Sequence, residues 1–468
     1  MKTRFVAFVF GLAIALVANS EERPPNFVVI FCDDLGYADL GCFGAKQIKT
    51  PNIDQMATEG MRLTSFYSTS GVCSPSRSSL LTGCYPRRVN MHVNHNNLCV
   101  LFPADRKGLN PEETTIAEVL KEKGYDTCHV GKWHLNGHFN SDKQPQPDDH
   151  GYNHWMATQN NAAPNHKNPT NFVLNGKPMG KLEGFSAPLV AREGVRWLKE
   201  VRDRKKPFLL SVWTHEPHLP IESAEEFMKP YTGINDEGIR QHHGNITQLD
   251  HAFGIVMRGL DKLGLRDDTI VFFTSDNGPE GRGTNGRTRG STGGLRGRKR
   301  DSHEGGIRVA GLVRWPGKIM PGSVSDVPVI GSDIFSTVLD ITNIPLPADR
   351  TIDGVSMVPA FDDKPLKRPV PLFWRTHVAP ANSHAALRIG DWKLISNKSF
   401  DKFQLYQIQK DWKEEHDLAA EQEEKLDEMK KAFFKVVEGI EKEGPSEWWK
   451  NEPPRKKKPR KKKTAPGN

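Results

Sequence analysis

The chain has 468 residues, 36% of them hydrophobic and 26% charged. That is ample length for a sizeable core, organised as one large domain and a smaller one, and it excludes a protein without packed structure. The net charge is +8, yet eight Lys or Arg and no acid fall between Pro453 and Asn468, so the residues before them sum to zero. The basic surplus belongs to a tail rather than to the fold, and no nucleic-acid partner is expected.

Residues 1–20 read as a signal peptide. Lys2 and Arg4 form a basic start, Phe5 to Val17 is apolar, and Ala18-Asn19-Ser20 offers small residues for cleavage. The run is short for a membrane span. A secreted or periplasmic protein is expected. From there to residue 364 short apolar runs alternate with helical patterns. Phe27–Phe31, Tyr125–Val130, Phe208–Trp213, Ile270–Phe273 and Val309–Trp315 read as strands, and Thr115–Lys123 and Pro188–Val201 as helices. Strands apolar on both faces, alternating with helices, imply an α/β fold with a large, mostly parallel sheet flanked by helices. From residue 365 to about 450 the pattern changes. Pro371–Arg375, Ala385–Ile389 and Trp392–Ile395 suggest a small antiparallel sheet, and Glu421–Glu441 an amphipathic helix. Residues 451–468, with Arg455 to Lys463, are too repulsive and too rich in proline to pack. For an exported protein this disordered basic tail is expected to rest on an anionic polysaccharide or surface.

The chemistry centres on Cys73-Ser-Pro-Ser-Arg77, which runs on to Leu81-Thr82-Gly83. A cysteine where a loop enters a helix meets unpaired backbone N–H groups and a positive dipole end, and Arg77 adds charge one turn on. Both favour an anion, either a thiolate or a bound oxyanion. A lone cysteine is more often a small buried hydrophobe. Six cysteines occur, with no C-x-x-C spacing, and no disulfide is assigned. Two strands end in acids: Phe27–Phe31 leads to Asp33-Asp34, and Ile270–Phe273 to Asp276-Asn277. Adjacent carboxylates at the carboxyl ends of parallel strands repel each other unless a cation lies between them. Pooled, these four residues make a hard oxygen site suited to Ca²⁺, with Mg²⁺ second, and unsuited to zinc. Taken singly, each pair could be a loop cap. Lys132 and His134, two apart, would face one side of an extended stretch and suit an anion that also needs proton transfer.

The stretch from Cys73 to Gly83 resembles the signature of type I sulfatases, in which the cysteine is oxidised to formylglycine by a formylglycine-generating enzyme. The resemblance continues through Asn26 to Gly36, Gly131-Lys-Trp-His134, Thr214-His-Glu-Pro-His218, and Leu295-Arg-Gly-x-Lys299 with Glu304-Gly-Gly306. It is greatest for the arylsulfatase A and N-acetylgalactosamine-6-sulfatase branch. It implies the alkaline phosphatase type of fold, with Asp33, Asp34, Asp276 and Asn277 on the metal together with the formylglycine oxygen at position 73. It also implies Arg77, Lys132, His134, His215, Asp276 and Lys299 as catalytic residues. In that pattern Lys132 and Lys299 hold the sulfate, His134 handles the diol proton, and His215 protonates the leaving oxygen. His218 is an additional candidate for the substrate pocket. Arg282, Arg287, Arg289, Arg296 and Arg298 would make the mouth basic and attract a polyanionic substrate. The segment from Asn136 to Pro169 is expected to shape the pocket. Asn90 departs from the pattern, standing where glycine is usual, and Leu405-Tyr-Gln-Ile408 matches only loosely. The expected activity is removal of sulfate from a sulfated carbohydrate. The rivals are a phosphodiester or phosphonate ester hydrolase on the same core, and a non-catalytic glycan-binding protein.

Overall fold

A computed structural model of the protein describes residues 24–92, 100–281, 290–379 and 382–443. The segment expected to be a signal peptide, the basic tail, Cys99 and Arg282, Arg287 and Arg289 lie outside the described residues. Ten strands form the large sheet: β1 (Asn26–Asp33), β2 (Met61–Leu63), β3 (Asp126–Lys132), β4 (His154–Thr158), β5 (Val173–Leu174), β6 (Lys177–Pro178), β7 (Phe208–Pro217), β8 (Thr269–Ser275), β9 (Gly311–Arg314) and β10 (Ser323–Ser325). Their spatial order is β10-β2-β9-β8-β1-β7-β3-β4-β5-β6. The central strands β8, β1, β7, β3 and β4 are parallel, whereas β9 runs antiparallel to β8.

β1 is buried along its whole length, which explains its unbroken apolar run. Side chains alternate across it. Phe27, Val29 and Phe31 enter one core with Trp213 and Phe272, while Val28, Ile30 and Cys32 enter the other with Val212 and Phe273. Helices cover both faces. Among them are α1 (Cys73–Thr82), α2 (Ile116–Glu122), α3 (Ser186–Arg196) and α4 (Glu237–Lys262). α2 starts on the capping box of Thr115 and Glu118. α3 begins two residues before the expected Pro188 and passes into a π turn at Trp197–Val201. α4, of 26 residues, was not foreseen. Its Ile246, Leu249, Phe253, Val256 and Leu260 follow helical spacing onto the second core, but Gly244, Gly254 and the polar residues between them mask the pattern.

Beyond residue 365, β11 (Leu372–Arg375), β12 (Ala385–Ile389), β13 (Trp392–Ser396) and β14 (Phe403–Gln407) form a separate antiparallel sheet in that order. β14 occupies the loosely matching stretch near Leu405. Helix α5 (Glu423–Glu443) packs Met429, Phe433 and Ile440 against this sheet. Trp374 joins the small sheet to the large part of the molecule. Its ring lies 5.3 Å from Tyr67, and its Nε1 donates to the Ser68 carbonyl at 2.7 Å. Asn90 has φ +54°, the left-handed region that glycine ordinarily fills. Its side chain uses that turn to accept a bond from Lys107 Nζ at 3.1 Å.

Candidate active site

The two acidic pairs meet because their strands are neighbours. Cys32 on β1 lies opposite Ser275 on β8, so Asp33-Asp34 and Asp276-Asn277 leave the sheet side by side. The Asp34 N–H donates to Asp276 Oδ1 at 3.2 Å, and Asn277 Nδ2 donates to Asp34 Oδ1 at 2.6 Å. α1 brings its first residue to the same place, where Cys73 Sγ donates to Asp33 Oδ1 at 3.4 Å. One turn on, Arg77 is fully buried. It donates to Asp276 Oδ2 from Nη2 (2.7 Å) and Nε (3.2 Å), and to the Lys132 carbonyl from Nη1 (3.1 Å). Phe31 and Trp213 pack against the guanidinium at 5.4 and 5.3 Å. Two lysines complete the cluster. Lys132 Nζ, at the end of β3, donates to Asp33 Oδ2 at 2.6 Å, and Lys299 Nζ approaches the Asp34 oxygens at 2.6 and 2.8 Å.

The histidines stand around this centre. His134 Nε2 bonds the Leu101 carbonyl at 2.7 Å. His215 Nε2 bonds Thr158 Oγ1 at 2.7 Å, and His218 Nε2 is 3.6 Å from Asp34 Oδ2. The other ring nitrogens of His134 and His215 are buried without a partner. Burial pushes all three imidazoles well down. The expected extended geometry holds only in part. β3 stops at Lys132 and His134 takes φ +59°, so the alternation rule does not relate the two side chains. β7 runs on to Pro217 and carries His215 inside the strand rather than after it. The segment expected to shape the pocket includes β4 as well as loops, and its Asn161 Oδ1 accepts from Lys132 Nζ at 3.3 Å.

Of the two anions the sequence allows at this helix start, a thiolate or a bound oxyanion, the fold opposes the thiolate. Burial, reinforced by Asp276, pushes the Cys73 thiol well up, against the pull of Lys132 and Lys299. Burial also raises Asp34 and takes Asp276 to about 7, where Asp33 adds to the effect. Asp33 alone falls, because Lys132, His218, Arg77 and Lys299 outweigh its burial. Three carboxylates that resist ionising together fit a site built for a cation. Asn277 Oδ1 is buried without a partner, an open acceptor beside them. Ligand atoms of Asp33, Asp34, Cys73 and His218 all lie within 4.8 Å of one another. The donors are mostly hard oxygens, which fits Ca²⁺ or Mg²⁺.

Several supports were not legible in sequence. Glu280 Oε2 lies 3.3 Å from Lys299 Nζ. Thr158 sets the His215 ring. Beneath the Lys299 loop, Lys393 Nζ is clamped between Glu304 Oε1 (2.7 Å) and Glu414 Oε1 (2.8 Å), all three buried. Glu414 also accepts from the Glu304 N–H at 2.8 Å. Glu304 opens a recognised motif, but nothing in the sequence pairs it with residues 89 and 110 positions away.

A mostly parallel α/β sheet whose strand ends gather carboxylates, lysines and a helix-borne Cys73 defines a hydrolase of anionic esters. The sulfatase family model matches residues 25–344, and a model described as N-sulphoglucosamine sulphohydrolase, C-terminal, matches residues 297–442. Arylsulfatase A of Homo sapiens is 34% identical over 384 residues, covering 76% of this chain and 70% of that protein. N-acetylgalactosamine-6-sulfatase of Mus musculus is 32% identical over 410 residues, covering 81% and 74%. Among solved structures, Ps i-CgsB in complex with k-i-k-neocarrahexaose superposes with a TM-score of 0.79 at 26% identity, over 90% of this chain and 92% of that one. The chain belongs to the sulfatase family and is a sulfatase of the alkaline phosphatase superfamily. Among the described residues no helix is long and apolar enough to cross a membrane.

Proposed function

We propose that the protein removes sulfate from a sulfated carbohydrate, a polysaccharide or oligosaccharide. The reading includes formylglycine made from Cys73 by a formylglycine-generating enzyme, and Ca²⁺, ahead of Mg²⁺, held by Asp33, Asp34, Asp276 and Asn277. When present, the cation draws charge from a sulfate oxygen and the hydrated aldehyde supplies a hydroxyl nucleophile. The chain's own residues do the rest. Lys132 and Lys299 hold sulfate oxygens and offset their charge. Arg77, locked on Asp276, keeps that carboxylate aligned with position 73. His215, its ring set by Thr158, holds the proton for the departing alcohol oxygen. His134 accepts a proton from the position 73 side chain as sulfate leaves. His218 lines the substrate side.

The observation that carries this reading is the meeting of Cys73 with Asp33, and of Lys132 and Lys299 with Asp33 and Asp34, in one buried cluster. Similarity to N-acetylgalactosamine-6-sulfatase and to a protein solved with k-i-k-neocarrahexaose supports a carbohydrate substrate. Export through residues 1–20, and retention on an anionic polysaccharide by Arg455 to Lys463, belong to the same proposal. The test is free sulfate release from glycosaminoglycans, their unsaturated oligosaccharides, carrageenans and fucans, by protein co-expressed with a formylglycine-generating enzyme. Release from one class is expected. No release from any of them by protein with converted Cys73 would overturn the substrate class.

A further inference from the structure

The turn that carries His215 and His218 is held by a buried residue with no part in the chemistry above. His166 lies in the loop between β4 and β5. Asn245 Nδ2, on α4, is 3.2 Å from its Nδ1. An amide nitrogen only donates, so Nδ1 accepts and the ring proton sits on Nε2. The ring also bonds the His218 backbone. The His218 N–H is already given to the His215 carbonyl at 2.9 Å, so Nε2–H donates to the His218 carbonyl.

His166 is itself fixed. Its carbonyl accepts from the Ser186 N–H at 2.8 Å, while Ser186 Oγ and the Ala187 N–H donate to Glu216 Oε1 at 2.7 and 2.9 Å. His166 and Glu216 thus close together on the start of α3, whose first N–H groups have no partner within the helix. Gln248 Nε2, on α4, reaches the same Glu216 oxygen at 3.3 Å. The turn is therefore tied to two helices on one side. On the other it meets the reacting centre, where His218 Nε2 is 3.6 Å from Asp34 Oδ2. After burial, His166 is the strongest influence that lowers His215, ahead of Lys132, which sets the two rings close together.

We propose that His166 is a positioning residue: its Nε2–H on the His218 carbonyl fixes the turn from His215 to His218, and so the ring that gives its proton to the departing oxygen. The inference rests on the proton role proposed above for His215 and deepens it. Misplacing a reacting group by about 1 Å can cost about a hundredfold in rate. That loss falls on esters whose leaving oxygen is strongly basic, because an acidic leaving group departs with little help from a proton. A residue that only supports the fold lowers every substrate alike.

Two substitutions separate the two bonds of the ring. His166→Asn keeps a polar group near the place of Nδ1 and lacks the donor that reaches His218. His166→Gln places an amide N–H where Nε2–H was. Both, with His215→Ala, are assayed on 4-nitrophenyl sulfate, whose phenol is acidic, and on phenyl sulfate, whose phenol is not, per molecule of converted Cys73. In His166→Asn, kcat/KM for phenyl sulfate is expected to fall about a hundredfold and that for 4-nitrophenyl sulfate less than about fivefold. His166→Gln should stay within about fivefold of wild type on both esters. His215→Ala should show the same selective loss as His166→Asn. Equal losses on the two esters in His166→Asn, no loss there, or a selective loss in His166→Gln overturns the inference while a selective loss in His215→Ala leaves the role of His215 intact. Equal losses in His215→Ala overturn that role and the inference with it. A converted wild type that cleaves neither ester contradicts the proposed reaction, and the inference falls with it.

Discussion

Lys393→Met tests whether the small sheet holds the Lys299 loop through charge. Lys393 Nζ lies 2.7 Å from Glu304 and 2.8 Å from Glu414, and all three side chains have no exposed surface. Methionine fills much of the volume but removes the cation. Glu304 keeps Arg308 at 3.3 Å and the Tyr67 hydroxyl at 2.7 Å. Glu414 loses the partner that most offsets its burial. Breaking a buried ion pair by removing one side costs about 3–5 kcal/mol, because the partner charge stays buried. The expected loss is therefore about 3–5 kcal/mol, read from urea unfolding followed by tryptophan fluorescence. Lys393→Met with Glu414→Gln removes the stranded charge and should recover a large part of that loss. Since Glu304 opens the turn behind Lys299, kcat/KM should also fall in the single variant. A loss under about 1 kcal/mol, or a double variant less stable than the single, would refute the argument.

Cys73→Ser should take up sulfate once and stall, because serine lacks the second hydroxyl; intact mass after incubation with substrate shows the added sulfate, and steady turnover would contradict the account. Burial alone would raise Glu304, but Lys393, Arg308 and Arg388 outweigh it and hold the carboxyl down to about 2. A lowered carboxyl stabilises the fold fully above its unfolded value near 4.5 and loses that contribution as pH falls toward 2. The stability gap between wild type and Glu304→Gln should therefore narrow across that window in acid-unfolding curves; a constant gap would assign it to packing. At Gly131, φ is +111° and an added Cβ would lie 1.8 Å from the Trp213 carbonyl oxygen. Gly131→Ala must separate β3 from β7 next to Lys132, and is expected to lower both soluble yield and activity; unchanged thermal stability would show that the strands can part at little cost.

Much of the site was legible because its residues sit at the ends of strands that bury both faces. The runs Phe27–Phe31 and Ile270–Phe273 read as strands, which places Asp33-Asp34 and Asp276-Asn277 at equivalent strand ends; that the two strands are neighbours comes from the fold. Cys73 and Arg77 are one helical turn apart, and their common direction follows from that spacing. What was not legible depends on packing between distant segments. The Lys393, Glu304 and Glu414 clamp joins three stretches with no shared local pattern. α4 was hidden because Gly244, His242, His243 and Asn245 break its apolar stripe, although buried contacts hold the helix all the same. The thiolate alternative for Cys73 rests on the dipole and Arg77 and leaves out the Asp276 carboxylate, which only the fold brings close to Cys73.

The most direct test of the central claim compares two preparations of the same protein, one with Cys73 converted to formylglycine and one without, each with Ca²⁺. Free sulfate released from the sulfated glycan panel is the readout. The account predicts release by the converted protein, loss of that release on chelation, and none from the unconverted protein. Equal release by both preparations, or none by a fully converted and metal-loaded protein, would contradict it.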